Sequence, residues 1–404
     1  MIFFYGLLQS TCAWRQTRVF LDIKAADILI KSIIKTYRFN KIFILMGNVD
    51  IGFVEECEHW RLESRFFPSK IGGKPAWLDL KNIPAKTNLE CEYCSQPCIF
   101  LCQVYAPYEE DVRAFHRTLY VFVCKSAECC KMNKNGNLKI LRSQLERNNA
   151  FYPSDPPEEH EDWRPDINAA KWRKTCVICG IFASSHCAKC KKVNYCCREH
   201  QILDWKHGHK DTCGTSQNAG ATSILFPEFE LATECEEVSE ENSKDDEDDK
   251  EAQEIEKYKK LLEEGKAGTL QSEKDVDADL LKMASSIEDE TFTNFSIRIK
   301  KYPDQVLRYD RGGKPLYISS SNQPTNIPVC QECGSKRQFE FQIMPQLLNY
   351  LKLDNTLKDL DWGILAVFTC TESCIPKSGY VTEYIWKQDI NQDDYKLLQT
   401  KTTD

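Results

Sequence analysis

Gly72-Gly73-Lys74-Pro75-Ala76-Trp77-Leu78 and Gly312-Gly313-Lys314-Pro315-Leu316-Tyr317-Ile318 are one phrase written twice, and a C-x2-C pair follows each, starting 19 and 18 residues after the first glycine. The correspondence continues downstream. Cys91 and Cys94 precede Leu119-Tyr120-Val121-Phe122-Val123-Cys124 and then Cys129, while Cys330 and Cys333 precede Leu365-Ala366-Val367-Phe368-Thr369-Cys370 and then Cys374. Self-similarity of this kind marks two copies of one supersecondary unit. The alternating apolar runs that end in Cys124 and Cys370 read as strands delivering a ligand at their tips. Gly-Gly ahead of Lys-Pro suits a tight turn, because glycine takes positive φ without strain and proline keeps the hairpin from slipping. Each half therefore carries four thiols of the type and pairing that tetrahedral zinc takes. In the first half Cys130 competes with Cys129, and Cys98 and Cys102 lie near enough to compete as well. Buried apolar thiols are the commoner fate of an intracellular cysteine. The expected fold is β-rich α+β, with two repeated zinc-ribbon-like β units, residues 48–152 and 292–390, packing as one composite domain. Each unit alone is small, and an exposed strand edge is stabilised by pairing with its copy.

Between these units the chain reads C-x2-C-x7-C-x2-C-x5-C-x3-H-x8-H-x3-C from Cys176 to Cys213, eight ligands in 38 residues. Zinc takes four such ligands, so eight make two closed sites. The natural pairing is a cross-brace: Cys176 and Cys179 with Cys196 and His200, and Cys187 and Cys190 with His209 and Cys213. No position is left for a catalytic water. Metal binding supplies ~10 to 16 kcal/mol to a segment of this size, which replaces an apolar core. A disulfide framework would need an oxidising compartment and a small secreted format, for which the chain gives no sign. Cys197 and His207 fall off the ligand register and read as spare side chains.

The run Tyr195-Cys196-Cys197-Arg198-Glu199-His200-Gln201, followed by Asp204-Trp205, His209 and Cys213, resembles a MYND zinc finger, inserted here at residues 176–213. That resemblance implies last ligands on short helices with Trp205 packed between them, and binding of short proline-containing peptides. A wider resemblance rests on Phe66-Phe67-Pro68-Ser69-Lys70-Ile71 leading into the first Gly-Gly phrase, on Gln103-Val104-Tyr105-Ala106-Pro107, on Met344-Pro345-Gln346-Leu347-Leu348-Asn349-Tyr350-Leu351 and on Asp361-Trp362-Gly363-Ile364 before the second apolar run. Over roughly residues 48 to 390 the chain is similar to the programmed cell death protein 2 family. The resemblance implies a cytoplasmic and nuclear dedicated chaperone that captures the newly made small-subunit ribosomal protein uS-five (S-two in eukaryotic naming) for small ribosomal subunit biogenesis. It also implies an alternative, a MYND-dependent adaptor for transcriptional corepressors linked to apoptosis and cell proliferation. MYND fingers occur in lysine methyltransferases too, but nothing here resembles the cofactor-binding half of those enzymes, and no Gly-rich nucleotide loop or paired carboxylates appear, so no enzyme is expected.

With 404 residues, 21 Cys and a net charge of -8, the chain is long enough for two or three domains, and its charge argues against direct phosphate-backbone binding. No run of 18 or more apolar residues suggests a membrane span; a monomer is expected. From Glu234 to Glu256 there are thirteen Asp or Glu against two Lys and no aromatic residue, so residues 232–274 read as an acidic disordered linker. It is either a solvated spacer or a screen, at Asp245 to Asp249, for a basic client. Residues 1–45 carry seven Lys or Arg against two Asp and precede the family-like sequence, and are expected to be an upstream extension outside the fold. Leu138 to Asn148 and Asp275 to Ile299 read as helical, and Met344 to Leu351 as a helix with Leu347, Leu348 and Leu351 on its core side. His59 and His116, among aromatic residues, read as packed histidines. A client groove along the seam of the two units would be lined by Trp77, Tyr105, Tyr317 and Trp386, unless these are core aromatics, the commoner fate of large rings.

Overall fold

A computed structural model of the chain describes residues 49–214, 224–236, 290–353 and 360–390. The 1–45 extension, the acidic tract beyond residue 236 and the expected helix before residue 290 lie outside the described residues. The strands are β1 (Asp50–Glu55), β2 (Lys70–Ile71), β3 (Ile99–Tyr105), β4 (His116–Val123), β5 (Leu138–Leu145), β6 (Ser185–His186), β7 (Asn194–Tyr195), β8 (Phe229–Cys235), β9 (Leu307–Tyr309), β10 (Arg337–Ile343), β11 (Ile364–Cys370), β12 (Val381–Thr382) and β13 (Tyr384–Gln388). Two helices matter here, α1 (Arg198–Asp204) and α2 (Glu290–Lys300).

All strands but β6 and β7 join one eleven-stranded sheet in the order β12-β5-β4-β3-β2-β8-β1-β9-β10-β11-β13. Its two end strands, β12 and β13, are separated in sequence only by Glu383, so the sheet nearly closes on itself. Two antiparallel meanders flank the centre, β2-β3-β4-β5 and β9-β10-β11-β13. They match in detail. The register slips at Phe100/Cys102 in the first and at Phe339/Phe341 in the second. Gln103 Oε1 accepts from the Ala76 amide at 2.9 Å and its Nε2 donates to the Ala76 carbonyl at 3.3 Å, and Gln342 does the same with Leu316 at 2.6 and 3.0 Å. Ala76 and Leu316 occupy the same place after Gly-Gly-Lys-Pro, so a buried glutamine fastens each phrase to its meander.

The centre differs from the expected unit boundaries. β1 belongs in sequence with the first meander but pairs with β9 of the second, and β8 pairs with β2 of the first. β1 and β8 are joined to each other by six register pairs. The 232–274 linker therefore starts too early: Ala232 to Cys235 lie in β8, at the middle of the sheet, with Leu231 and Phe226 of the adjoining apolar patch buried. The interior is shared, with Leu101, Leu119 and Val121 of one half packed in one cluster with Phe341, Leu365 and Val367 of the other. Leu138 to Asn148 is not helical. Leu138, Leu141 and Leu145 mimic a helical stripe, but in β5 Leu138 and Ile140 face the interior while Leu141 packs on the outer cluster. Pro345–Tyr350 forms a short 3-10 turn that buries Leu347, with Leu351 buried beside it, the side expected.

The turns show where glycine is required. Gly72, Gly73 and Gly312 take positive φ (63, 63 and 87°), whereas at Gly313 the constraint is space, since a Cβ would stand 1.7 Å from Asp310 Oδ2. At Gly72 a Cβ would stand 1.9 Å from the Pro227 carbonyl oxygen, which lies just ahead of β8. The first turn is tight because the chain entering β8 passes against it, the second because the Asp310 side chain folds back over its own turn.

Candidate metal centres

The Cys-x2-Cys knuckles are built alike. In each, the residue after the second cysteine takes positive φ, at Ser95 (57°), Gly180 (75°), Lys191 (57°) and Gly334 (77°). Its amide donates to the carbonyl of the first cysteine, at 2.9 Å in all four: Ser95 to Cys91, Gly180 to Cys176, Lys191 to Cys187 and Gly334 to Cys330. The tight turn aims amides at sulfur. Burial pushes the Cys187 thiol up, but the backbone N–H groups of Cys190 and Lys189 and the His209 ring hold it down at about 6. The Ser335 hydroxyl and amide hold Cys333 at about 6. Burial also works against the Cys94 thiol, and the Gln96 amide and neighbouring sulfurs bring it below its ordinary range. Burial and neighbouring thiols push other members of the same quartets up, among them Cys124, Cys213 and Cys374, so it is a bound cation that would hold each full set as thiolates.

The second pair of ligands reaches each knuckle by a different route. Cys124 and Cys370 sit at the ends of β4 and β11, and Cys129 and Cys374 on the turns that follow. His200 projects from α1, and His209 lies on the kinked turn Trp205–His209 after it. The structure brings together four quartets, Cys91-Cys94-Cys124-Cys129, Cys176-Cys179-Cys196-His200, Cys187-Cys190-His209-Cys213 and Cys330-Cys333-Cys370-Cys374, with ligand atoms within 4.8 Å of one another in each. Sulfur separations are 3.7 Å for Cys94 and Cys124, 3.6 Å for Cys179 and Cys196, 3.9 Å for Cys187 and Cys213, and 3.5 Å for Cys333 and Cys370. A tetrahedral ion with Zn–S bonds of about 2.3 Å has edges of about 3.8 Å, so the donor sets fit. His200 offers Nδ1, 3.2 Å from Cys196 Sγ, whereas His209 offers Nε2, 3.6 Å from Cys190 Sγ.

The competing side chains fall outside these sets. Cys98 and Cys102 are buried in apolar surroundings that push both thiols far up, and Cys130 Sγ lies 3.4 Å from the Asp361 amide. Cys197 touches Cys196 at 3.6 Å without joining the quartet, and His207 hydrogen-bonds the Leu203 carbonyl through Nδ1. Trp205 is half-exposed and meets His209 edge-on. His116 is buried and stacked on Phe67, but His59 is exposed and pairs with Glu228 at 2.6 Å, so it is not a packed histidine.

The finger does not protrude from the sheet. Cys176, Ile178, Cys179, Ile181 and Cys196 share one apolar cluster with Trp77, Tyr120, Tyr152 and the thiols Cys91, Cys124 and Cys129. Trp77 Nε1 donates to the Gly180 carbonyl at 2.8 Å, and the Phe182 amide to the Pro84 carbonyl at 2.9 Å. Trp77, only 1% exposed, is thus a core residue under the finger and lines no groove. Tyr105 reaches His116 at 2.9 Å, and Trp386 Nε1 donates to the Asn322 carbonyl. Sequence reasoning also missed two buried charge clusters. Arg117 makes a bidentate pair with Glu340, which also accepts from Tyr309, and Arg142 and Arg337 both pair with Glu383.

Comparison with known proteins agrees with this architecture. Residues 48–159 match the family model described as Programmed cell death protein 2, N-terminal domain, residues 289–389 match its C-terminal counterpart, and residues 176–213 match the MYND finger. The chain is 44% identical over 353 residues to Programmed cell death protein 2 of Mus musculus, covering 85% of this chain and 97% of that protein. It is 28% identical over 328 residues to Programmed cell death protein 2-like of Homo sapiens, covering 76% and 86%. A shorter match, 33% identical over 117 residues, or 25% of this chain and 28% of the relative, is to the Probable 20S rRNA accumulation protein 4 of Schizosaccharomyces pombe. No solved structure matches. The sequence, the quartets and these relatives together establish that the chain belongs to the programmed cell death protein 2 family.

Proposed function

We propose that this chain is a zinc-held binding protein, without catalytic activity, that captures a newly made basic small-subunit ribosomal protein of the uS-five class in the cytoplasm and nucleus and supports small ribosomal subunit biogenesis. The observation that carries this reading is the similarity to a relative named for 20S rRNA accumulation. Each quartet offers four protein ligands, the form of a structural site; catalytic zinc keeps one position for water. The body is a duplicated β unit with one zinc per copy, and the finger holds two more, four ions per chain.

Native mass spectrometry of the full chain should count four zinc ions. Cys187→Ala or His209→Ala should lower the count to three and loosen the finger, and Cys330→Ser should remove one ion while the finger keeps both. A chain that stays folded with no metal after chelation contradicts this.

The acidic tract supplies charge for a basic client. Deleting residues 240–256 removes ten Asp or Glu but spares β8. Stopped-flow association with the ribosomal protein should then be slower and less dependent on salt, while the complex still forms. An unchanged rate reduces the tract to a spacer.

A second reading has its own support, because Ile202 of α1 and Trp205 just after it are large apolar side chains left exposed, where a proline-containing corepressor peptide could dock. Deleting the finger would uncover Trp77, so point changes are the cleaner test. Ile202→Glu with Trp205→Ala should leave client capture intact. Loss of the client would instead favour the adaptor surface as the binding site.

A further inference from the structure

The sheet closes along a line that its backbone barely secures. β12 meets β5 through two register pairs, Val381 with Arg142 and Thr382 with Leu141, helped by the Glu383 amide donating to the Ile140 carbonyl at 3.1 Å. The opposite junction, β1 with β8, has six register pairs. The closing line is held instead by two loops, and each leaves from the second cysteine pair of a sheet quartet.

The loop after Cys370 and Cys374 reaches across to β5. Arg142 Nη1 donates to the Cys374 carbonyl, Gln144 Nε2 to the Ser373 carbonyl and Ser143 Oγ to the Gly379 carbonyl, each at 2.9 Å. The loop after Cys129 reaches across to β13. The Asp389 amide donates to Asn133 Oδ1 at 2.9 Å, Asn135 Nδ2 to the Ile385 carbonyl at 2.6 Å and Lys387 Nζ to the Lys131 carbonyl at 3.3 Å. Arg142 couples the line directly to a ligand. It is fully buried, donates Nε to Glu383 at 2.7 Å and directs Nη2 at Cys374 Sγ, 3.5 Å away.

We propose that the two four-cysteine sites are clasps on the β5–β13 line, so that losing metal from them opens the sheet there while the β1–β8 ladder stays shut. The clasp rests on the zinc occupancy proposed above. The C-terminal clasp opens first, because its Cys333 is exposed whereas three thiols of the N-terminal quartet are buried and the fourth is half-buried. Opening uncovers the apolar interior that both halves share.

The test titrates the full-length, zinc-loaded chain with a zinc chelator, counts bound ions by native mass spectrometry and follows amide hydrogen exchange. Release of the first ion should speed exchange at least tenfold in Leu138–Leu145 and Val381–Gln388, with β1 and β8 unchanged. Arg142→Lys should raise exchange along the same line with all four ions still bound. If the sheet quartets carry no metal before chelation, the zinc reading fails and the clasp with it. If an ion leaves the C-terminal quartet and the β5–β13 amides do not respond, or β1 and β8 open in step, the clasp alone is overturned.

Discussion

Trp77→Ala should lower the stability of the full chain by ~3 to 5 kcal/mol, the range for emptying a fully buried aromatic site, and should release the finger from the sheet. Trp77 stands in the first Gly-Gly-Lys-Pro phrase, and its ring packs on Tyr120, Phe122 and Tyr380 at centroid distances of 5.1, 6.0 and 5.3 Å. Its Nε1–H is the hydrogen bond to the Gly180 knuckle. Removing the ring opens a cavity between two zinc quartets and leaves the Gly180 carbonyl without that donor. Thermal unfolding measures the loss, and faster proteolysis between residues 148 and 176 measures the detachment. Trp77→Phe, which keeps most of the ring and loses the donor, should cost less. Unchanged proteolysis in Trp77→Ala would show that the finger is held some other way.

Arg117→Met should be similarly severe, at about 3 to 5 kcal/mol, because it strands the Glu340 carboxylate in the interior. Both side chains of the pair are fully buried. Adding Glu340→Leu should recover much of the loss, since an apolar pair of similar volume replaces the uncompensated charge. The same pair fixes an acid limit. Burial pushes the Glu340 carboxyl up, but the Arg117 guanidinium, assisted by Arg311 and the Thr369 hydroxyl, pulls it from 4.5 to about 2. A carboxylate lowered in the folded state stabilises above its unfolded pKa. The contribution, roughly 3 kcal/mol, is therefore full above pH ~4.5 and lost as pH falls toward ~2. Urea unfolding at pH 3 and pH 6 should show a smaller difference in the double variant than in the parent; an equal difference would exclude Glu340 as its source.

The grouping of the cysteines and histidines into quartets was legible in sequence because a Cys-x2-Cys knuckle is local and its spacing marks it. The duplicated phrase reads as a tight hairpin turn; it is a tight turn, but β2 before it pairs with β3 and β8, and Gly313 is constrained by Asp310 and not by φ. What joins the halves was not legible. β8 follows the finger in sequence yet pairs with β2, and no local pattern signals such an exchange, because the ladder forms between residues far apart in the chain. Arg117 sits between His116 and Thr118, and nothing in its own strand marks it as buried. Only the approach of β10 from the other half turns it inward onto Glu340. Leu138, Leu141 and Leu145 satisfied a helical period by coincidence, and tertiary pairing decided for a strand.

Capture of a basic ribosomal protein by a zinc-held β body is what we proposed above. Newly synthesised uS-five-class ribosomal protein, offered to the immobilised full chain before and after zinc removal, tests it most directly. The zinc-loaded chain should capture it stoichiometrically, and the complex should be at least tenfold weaker once the quartets are emptied. Failure of the loaded chain to retain the ribosomal protein, or equal capture by the emptied chain, would contradict it.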